Sequence, residues 1–401
     1  MNLMYFQSGG PTSVINSSFF GVIEAFQNSN KIDKLYASKF GLSGLINNDY
    51  FEIKKNKNYK SIIKNSGAIL GSARIKLSED FNDKIYDAIL KNTLNLDLDY
   101  LLFNGGNDSM ETATKLNNFF KVKNIKTRVI GIPKTIDNDL YGIDHCPGFA
   151  SAAKYIAETI EDITLDLDSY KKGRVTIVEV MGREAGWLAL SSSLAKKDLG
   201  PDLIYIPEIT FDIDEFLKDI KRIYSKKNRV LVVVSEALKD KEGKHICASK
   251  AQNDGFDHFQ LGSVSKILCD VIEEKLNYPT RGIEFNLMQR CSTSHISKVD
   301  QKEAYELGKE AVKLALNNES GFMVGLIKEN NEYKIGKIPC EKAQNYIRYV
   351  PRNYMNKAGN FVSKEGKEYL NFIKKDIKHK KQLRKIFEDW LRFGKIVEMG
   401  L

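Results

Sequence analysis

Nine residues, Gly131-Ile132-Pro133-Lys134-Thr135-Ile136-Asp137-Asn138-Asp139, put two carboxylates and a lysine on one short loop directly after an apolar stretch at 128–132. In an extended run alternate side chains face the same way, so Thr135, Asp137 and Asp139 are expected on one side and Ile136 and Asn138 on the other. One carboxylate could then take a proton while the other holds a metal ion. Lys134 adds positive charge where transferred oxygens would carry negative charge, the positioning that dominates phosphoryl transfer. By itself the loop is also compatible with a surface turn rich in Asp and Asn.

The elements that would position this loop recur along the chain. The apolar run Tyr100-Leu101-Leu102-Phe103 ends at Asn104-Gly105-Gly106-Asn107-Asp108-Ser109, after which 110–120 reads as a helix. Such a junction turns backbone N–H groups and the positive end of the helix dipole toward an anion, and its glycines permit close approach. A diglycine turn alone is a weak signal, because αβ connections use glycine for geometry. The same arrangement is written again at Met4-Tyr5-Phe6, which runs into Gln7-Ser8-Gly9-Gly10-Pro11 and a helical stretch at 18–26.

Taken in order, Gly9-Gly10, Gly71-Ser72-Ala73-Arg74, Gly105 to Ser109, Pro133 to Asp139, Met181-Gly182-Arg183, Ser235-Glu236, Thr280-Arg281 and Gln289-Arg290 resemble the phosphofructokinase family over roughly residues 1 to 330. Within it the chain resembles the pyrophosphate-dependent branch. ATP-dependent members usually carry glycine where this chain has Asp108 and Lys134. A carboxylate at Asp108 would stand where a nucleotide's α-phosphate must lie, and two anions about 4 Å apart repel by about 4 kcal/mol at an effective dielectric of 20. Pyrophosphate ends before that point. Asp108 is also suited to capping the helix that it begins.

The resemblance implies Asp137 as general base, Thr135 positioning the acceptor hydroxyl, and Lys134 and Asp108 acting on the donor, with Gly10 and Arg74 among the binding residues. It implies Mg²⁺ held by Asn107, Asp108 and Asp139. Many relatives have aspartate where Asn107 stands, and a neutral carbonyl oxygen is compatible with an ion that keeps several waters and binds substrate phosphates. On the acceptor side it implies that Met181, Gly182 and Arg183 hold fructose 6-phosphate, that Glu236 binds a sugar hydroxyl, and that Arg281 and Arg290, beside Gln289, hold the 6-phosphate. Arginine suits that task because its fork pairs bidentately with phosphate. Arg174 and Arg281 correspond to residues that reach a neighbouring subunit in relatives, so a homodimer or homotetramer is expected. Leu287 stands where the family often has histidine, and Cys291-Ser292-Thr293 replaces a glycine-rich run. Taken singly, any of these arginines reads first as a surface ion pair, and it is their combination that points to phosphate.

Composition bounds the remainder. The chain has 401 residues, 42% hydrophobic, with a formal charge of +9. It contains no apolar run of about 18 residues, so no membrane association is expected, and no signal peptide is evident. Five scattered cysteines, Cys146, Cys247, Cys269, Cys291 and Cys340, lack paired spacing and fit a reduced cytoplasm rather than structural zinc. His145 beside Cys146 reads as ordinary loop content. The basic run Lys374-Lys375-Asp376-Ile377-Lys378-His379-Lys380-Lys381 raises nucleic acid as a partner. Ile377, Leu383, Ile386, Phe387 and Trp390 recur at roughly helical spacing, however, so the lysines read as the solvated face of a terminal helix and no nucleic acid is expected.

Strand-like runs at 175–180, 203–206, 230–234 and 322–327 alternate with helical stretches such as 300–316, an α/β pattern. The expected fold is two Rossmann-like three-layer lobes with mostly parallel sheets, phosphofructokinase-like, with a C-terminal helical extension. The first lobe is expected to hold 1–140 and a returning segment 255–312, the second 141–254 and 313–340, and the extension 341–401. Three functions compete: pyrophosphate-dependent phosphorylation of fructose 6-phosphate at its 1-hydroxyl, an ATP-dependent sugar-phosphate kinase, and a noncatalytic subunit that senses sugar phosphate. Asp108 and Lys134 argue against the second, and the intact Thr135-to-Asp139 loop argues against the third.

Overall fold

A computed structural model describes residues 1–247, 252–253, 259–260, 262–330, 332–382, 387 and 390. The strands are β1 (Asn2–Gln7), β2 (Lys34–Ser38), β3 (Tyr50–Ile53), β4 (Leu98–Gly105), β5 (Arg128–Pro133), β6 (Val175–Val180), β7 (Leu203–Tyr205), β8 (Val230–Ser235), β9 (Gln252–Asn253), β10 (Phe259–Gln260), β11 (Thr280–Glu284), β12 (Phe322–Glu329) and β13 (Glu332–Pro339). The chain divides into two compact units. One comprises Met1–Tyr155, Met181–Leu188 and Phe285–Pro351, the other Ile156–Val180, Ala189–Glu284 and Arg352–Leu401.

The first unit is built on a seven-stranded sheet of order β13-β12-β5-β4-β1-β2-β3. Its centre is parallel, while β3 and β13 run antiparallel at the two edges. The central strands are apolar on both faces because helices cover both. Met4 and Phe6 of β1 join Phe103, Met110 and Phe119 in one cluster, whereas Leu3 and Tyr5 join Phe19, Val22 and Leu307 in another. A strand's two-residue period thus sends neighbouring side chains into separate cores. The helices Ile15–Gln27 and Lys298–Leu316 cross almost in backbone contact. A Cβ on Gly21 would lie 2.0 Å from the Tyr305 carbonyl oxygen and one on Gly308 2.0 Å from that of Ser18, so only glycine fits at the crossing.

The second unit has a four-stranded sheet of order β11-β6-β8-β7, parallel throughout. Val175, Ile177, Val230, Val232 and Val234 pack there against Phe216, Ile220, Leu268 and Ile272.

Several expected boundaries move: 141–155 and 181–188, expected in the second lobe, belong to the first unit. Residues 322–339 were expected with the second lobe, but β12 pairs in parallel with β5 through Phe322 and Met323, opposite Ile130 and Gly131, and so extends the first sheet. Of the returning segment, the helix Lys298–Leu316 lies in the first unit as expected, whereas the helix Val264–Leu276 and β11 belong to the second. The extension is also divided, since 341–351 joins the first unit and 352 onward the second.

The expected terminal basic helix is replaced over 375–382 by non-helical chain after a short helix Asn371–Lys374. Glu158 and Glu161, on the helix Phe149–Leu167, accept the backbone N–H groups of Lys378 and Lys380 at 2.8 and 2.6 Å. A backbone donor committed to a carboxylate is not available to a helix turn. Leu383 and Ile386 lie outside the described residues.

Candidate active site

The loop after β5 keeps the expected alternation. Ile136, Asn138 and Leu140 are buried, and Thr135, Asp137 and Asp139 are half-buried between them. The backbone is not regularly extended, because Asn138 adopts a left-handed φ of 58°. Its side-chain oxygen accepts the Cys146 backbone N–H at 2.9 Å, which anchors the turn. Thr135 Oγ1 accepts the Asp137 backbone N–H at 3.1 Å. Thr135 therefore shapes the loop that presents Asp137.

Lys134 is buried, and its ammonium donates to the Gly10 carbonyl oxygen at 2.7 Å, which joins the loops after β5 and β1. Ser72 Oγ donates to the Gly9 carbonyl at 2.6 Å, and Ser8 bridges Ala73 in parallel, so 71–74 is tied to the same turn. Arg290 closes the group: its guanidinium occupies the space into which a Gly10 side chain would grow. Gln289, fully buried, accepts the Met181 backbone N–H at 3.3 Å, and this holds the segment 181–183 beside the same arginine. Gly182 has a φ of 125°, which a side chain would resist.

After β4 the helix Asn107–Val122 starts at Gly106 with no side-chain cap, and Asp108 is the acidic residue of its first turn. Its first N–H groups are thus left for an incoming anion. Asn107 Nδ2 donates to Asp139 Oδ2 at 2.9 Å. Asn107 Oδ1 and Asp137 Oδ1 are buried without a hydrogen-bond partner. Two such acceptors, next to Asp108 and Asp139, fit a hydrated cation on one side and a hydroxyl donor on the other. Among the described residues no group of three or more His, Cys, Asp or Glu is arranged to hold a metal unaided.

Burial raises the carboxyls of Asp137 and Asp139, and the Asp137 charge raises Asp139 further. Lys134, Arg183, Arg290 and Arg74 oppose the rise at Asp137 by favouring its anion. Lys134 is pulled down to about 8, mainly by burial and then by Arg290 and Arg74, against the pull of Asp137. Four cations, Lys134, Arg74, Arg183 and Arg290, thus converge on a small carboxylate group, an arrangement that attracts polyanions.

Other expected residues stand elsewhere. Arg174, Glu236 and Arg281 belong to the second unit. The Arg174 guanidinium lies 5.4 Å from the Tyr170 ring centre, and Arg281 is exposed on β11. Leu287 is 57% exposed and precedes the short helix Met288–Cys291. A cavity of about 570 Å³ lies in the second unit, lined by Ser193, Lys196, Lys197, Lys227, Lys374 and His379 among others, and holds none of the expected site residues. His145 is not ordinary loop content: it is buried between Asp144 and Glu303, at 2.9 Å from each. Motif reading also missed Arg348, which donates to the Asn138 carbonyl oxygen at 3.1 Å; the apolar-aromatic stretch at 346–351 was the available signal.

These are the parts of an α/β enzyme that moves a phosphoryl group between oxygens. The model of the phosphofructokinase family matches residues 2–315, and the chain belongs to that family. It is 33% identical over 379 residues to the pyrophosphate–fructose 6-phosphate 1-phosphotransferase of Xanthomonas campestris pv. campestris, covering 92% of this chain and 90% of the relative. It is 35% identical over 353 residues to the sulfofructose kinase of Alkalicoccus urumqiensis, covering 84% and 86%. The solved pyrophosphate-dependent phosphofructokinase of Nitrosospira multiformis superposes with a TM-score of 0.83 at 29% identity, covering 94% of this chain and 92% of that one.

Proposed function

We propose that this chain transfers a phosphoryl group from pyrophosphate to the 1-hydroxyl of fructose 6-phosphate, giving fructose 1,6-bisphosphate and phosphate. The observation that carries the reading is the pairing of Asp108, in the first turn of an uncapped helix, with the buried Lys134 ammonium on the Gly10 carbonyl. Together they offer positive charge to a compact diphosphate and place a carboxylate where a nucleotide would continue. The acceptor oxygen attacks the near phosphorus, its proton passes to Asp137, the bridging P–O bond breaks and phosphate leaves. Thr135 shapes the loop, Lys134 meets the charge on the transferred oxygens, and Arg290, Gln289 and 181–183 hold the sugar phosphate. Asn107, Asp108 and Asp139 would hold Mg²⁺, which when bound neutralises phosphate oxygens and orients the donor. Arg74 supports the donor side. Arg174, Glu236, Arg281 and Leu287 are assigned to the acceptor on family resemblance alone.

The chain is read further as a cytoplasmic homodimer or homotetramer; no described helix is long and apolar enough to cross a membrane. Light scattering decides the assembly. The function is tested by a panel of donors (pyrophosphate, ATP) against acceptors (fructose 6-phosphate and its 6-deoxy-6-sulfo counterpart). The relative named as a sulfofructose kinase makes a sulfonated fructose the acceptor to separate from the phosphorylated one. Pyrophosphate with fructose 6-phosphate is expected to give the highest kcat/KM, and a preference for ATP or for the sulfonate would overturn the reading.

A further inference from the structure

One residue outside every motif holds the catalytic loop and the sugar-side segment at once. The Arg348 backbone N–H donates to the Asp139 carbonyl oxygen at 2.8 Å. Its guanidinium donates through Nη1 to the Asn138 carbonyl oxygen at 3.1 Å. The same guanidinium lies 3.9 Å from the Trp187 ring centre, and Trp187 Nε1 donates back to the Arg348 carbonyl oxygen at 2.7 Å. Leu140 and Ile347 continue the contact as an antiparallel bridge. Asn138 has the left-handed backbone of the loop and lies between the two carboxylates. Trp187 follows Met181-Gly182-Arg183 by four residues and is fully buried.

We propose that Arg348 is a positioning residue that sets the Asp137 and Asp139 carboxylates relative to the sugar-holding segment 181–187. The inference rests on the functional reading above. A left-handed turn between two catalytic carboxylates has no regular secondary structure to hold it, so its carbonyl groups need outside donors. Arg348 supplies both, to consecutive residues, and its planar head keeps one face for Trp187. Lysine would keep the backbone donation to Asp139 but not the side-chain part, because an ammonium has no face to stack on Trp187 and no fixed fork to aim at the Asn138 carbonyl. A displacement of about 1 Å at the reacting group can cost about 100-fold in rate.

The test compares wild type, Arg348→Lys, Arg348→Ala and Trp187→Phe, each carrying Trp390→Phe where fluorescence is read, with Asp137→Ser as the catalytic reference. Arg348→Lys is expected to lose about 10- to 100-fold in kcat while KM for both substrates stays within about threefold. Methylguanidine added to Arg348→Ala should recover part of the lost turnover, and the Trp187 emission should shift in both variants. A purely structural arginine would not give rescue with unchanged KM. Unchanged kcat, or a loss confined to KM for the sugar phosphate, overturns the proposal. Should the Arg348 variants fail to fold, Trp187→Phe decides, since loss of its N–H donor is expected to lower kcat about fivefold or more at constant KM, and an unchanged kcat rejects the proposal. If Asp137→Ser keeps wild-type turnover, or the wild type ignores pyrophosphate, it is the functional reading that falls.

Discussion

Arg290 and Gly10 meet so closely that a methyl group on Gly10 would sit 2.5 Å from Arg290 Nη1. The turn after β1 and Arg290 therefore share one small volume, and glycine at position 10 is a condition for the guanidinium's placement. Gly10→Ala would displace the mobile end of a side chain rather than backbone. Stability is expected to change by less than about 0.5 kcal/mol. The kcat/KM for fructose 6-phosphate should fall about tenfold or more as the bidentate partner moves. Urea denaturation and steady-state kinetics on the same preparation check both parts.

Donor choice is expected to follow from Asp108. Asp108→Gly removes the carboxylate in the first turn of the helix Asn107–Val122 and is expected to raise the ratio of kcat/KM for ATP to that for pyrophosphate. Lys134→Gly should lower pyrophosphate use through loss of the facing charge, and the double variant should move the ratio furthest. The effects need not add, since both residues act on one donor. A ratio that stays flat across all four proteins rejects Asp108 as the donor filter.

Lys134 carries a pH dependence. Burial lowers its ammonium to about 8, so it is charged below that pH and increasingly neutral above it. The kcat/KM for pyrophosphate is expected to fall as pH rises from about 7.5 to 9, because the neutral amine no longer attracts the donor. Lys134→Arg stays charged throughout this range and should flatten the alkaline limb even if its overall rate is lower. An identical limb in both proteins assigns the titration to another group.

His145 is expected to carry a second pH dependence, one of stability. Burial disfavours its charge, but hydrogen bonds to Asp144 and Glu303 outweigh that and raise it from 6.5 to about 9. A raised folded-state value means the stabilisation is complete below about pH 6.5 and is lost as pH climbs through about 9. The full contribution is about 3 kcal/mol, an upper figure for a buried pair of ion contacts. The stability gap between wild type and His145→Gln, measured by urea at pH 6 and pH 9.5, is expected to shrink by about 1–3 kcal/mol on going to the higher pH. A constant gap would show that folding leaves the His145 pKa at its ordinary value.

Local order was legible in the residues themselves. The apolar runs at 100–103, 128–132 and 175–180 lie within or coincide with β4, β5 and β6, because a strand buried on both faces leaves a continuous hydrophobic signal. The glycine turns and the alternation of Thr135, Asp137 and Asp139 against Ile136 and Asn138 were equally visible, since each depends on neighbours within a few positions. Sheet membership was not. Nothing in the composition of 322–339 distinguishes an addition to the first sheet from one to the second, and the choice is made by hydrogen bonds to β5, almost two hundred residues earlier. The apolar residues from Ile377 to Trp390 recur at helical spacing, yet Glu158 and Glu161 on a distant helix claim the backbone donors of Lys378 and Lys380. Arg348 is likewise an ordinary arginine in the sequence. Only folding brings the Asn138 and Asp139 carbonyls and the Trp187 ring to it, because partners so far apart in the chain leave no periodic trace and are selected by packing.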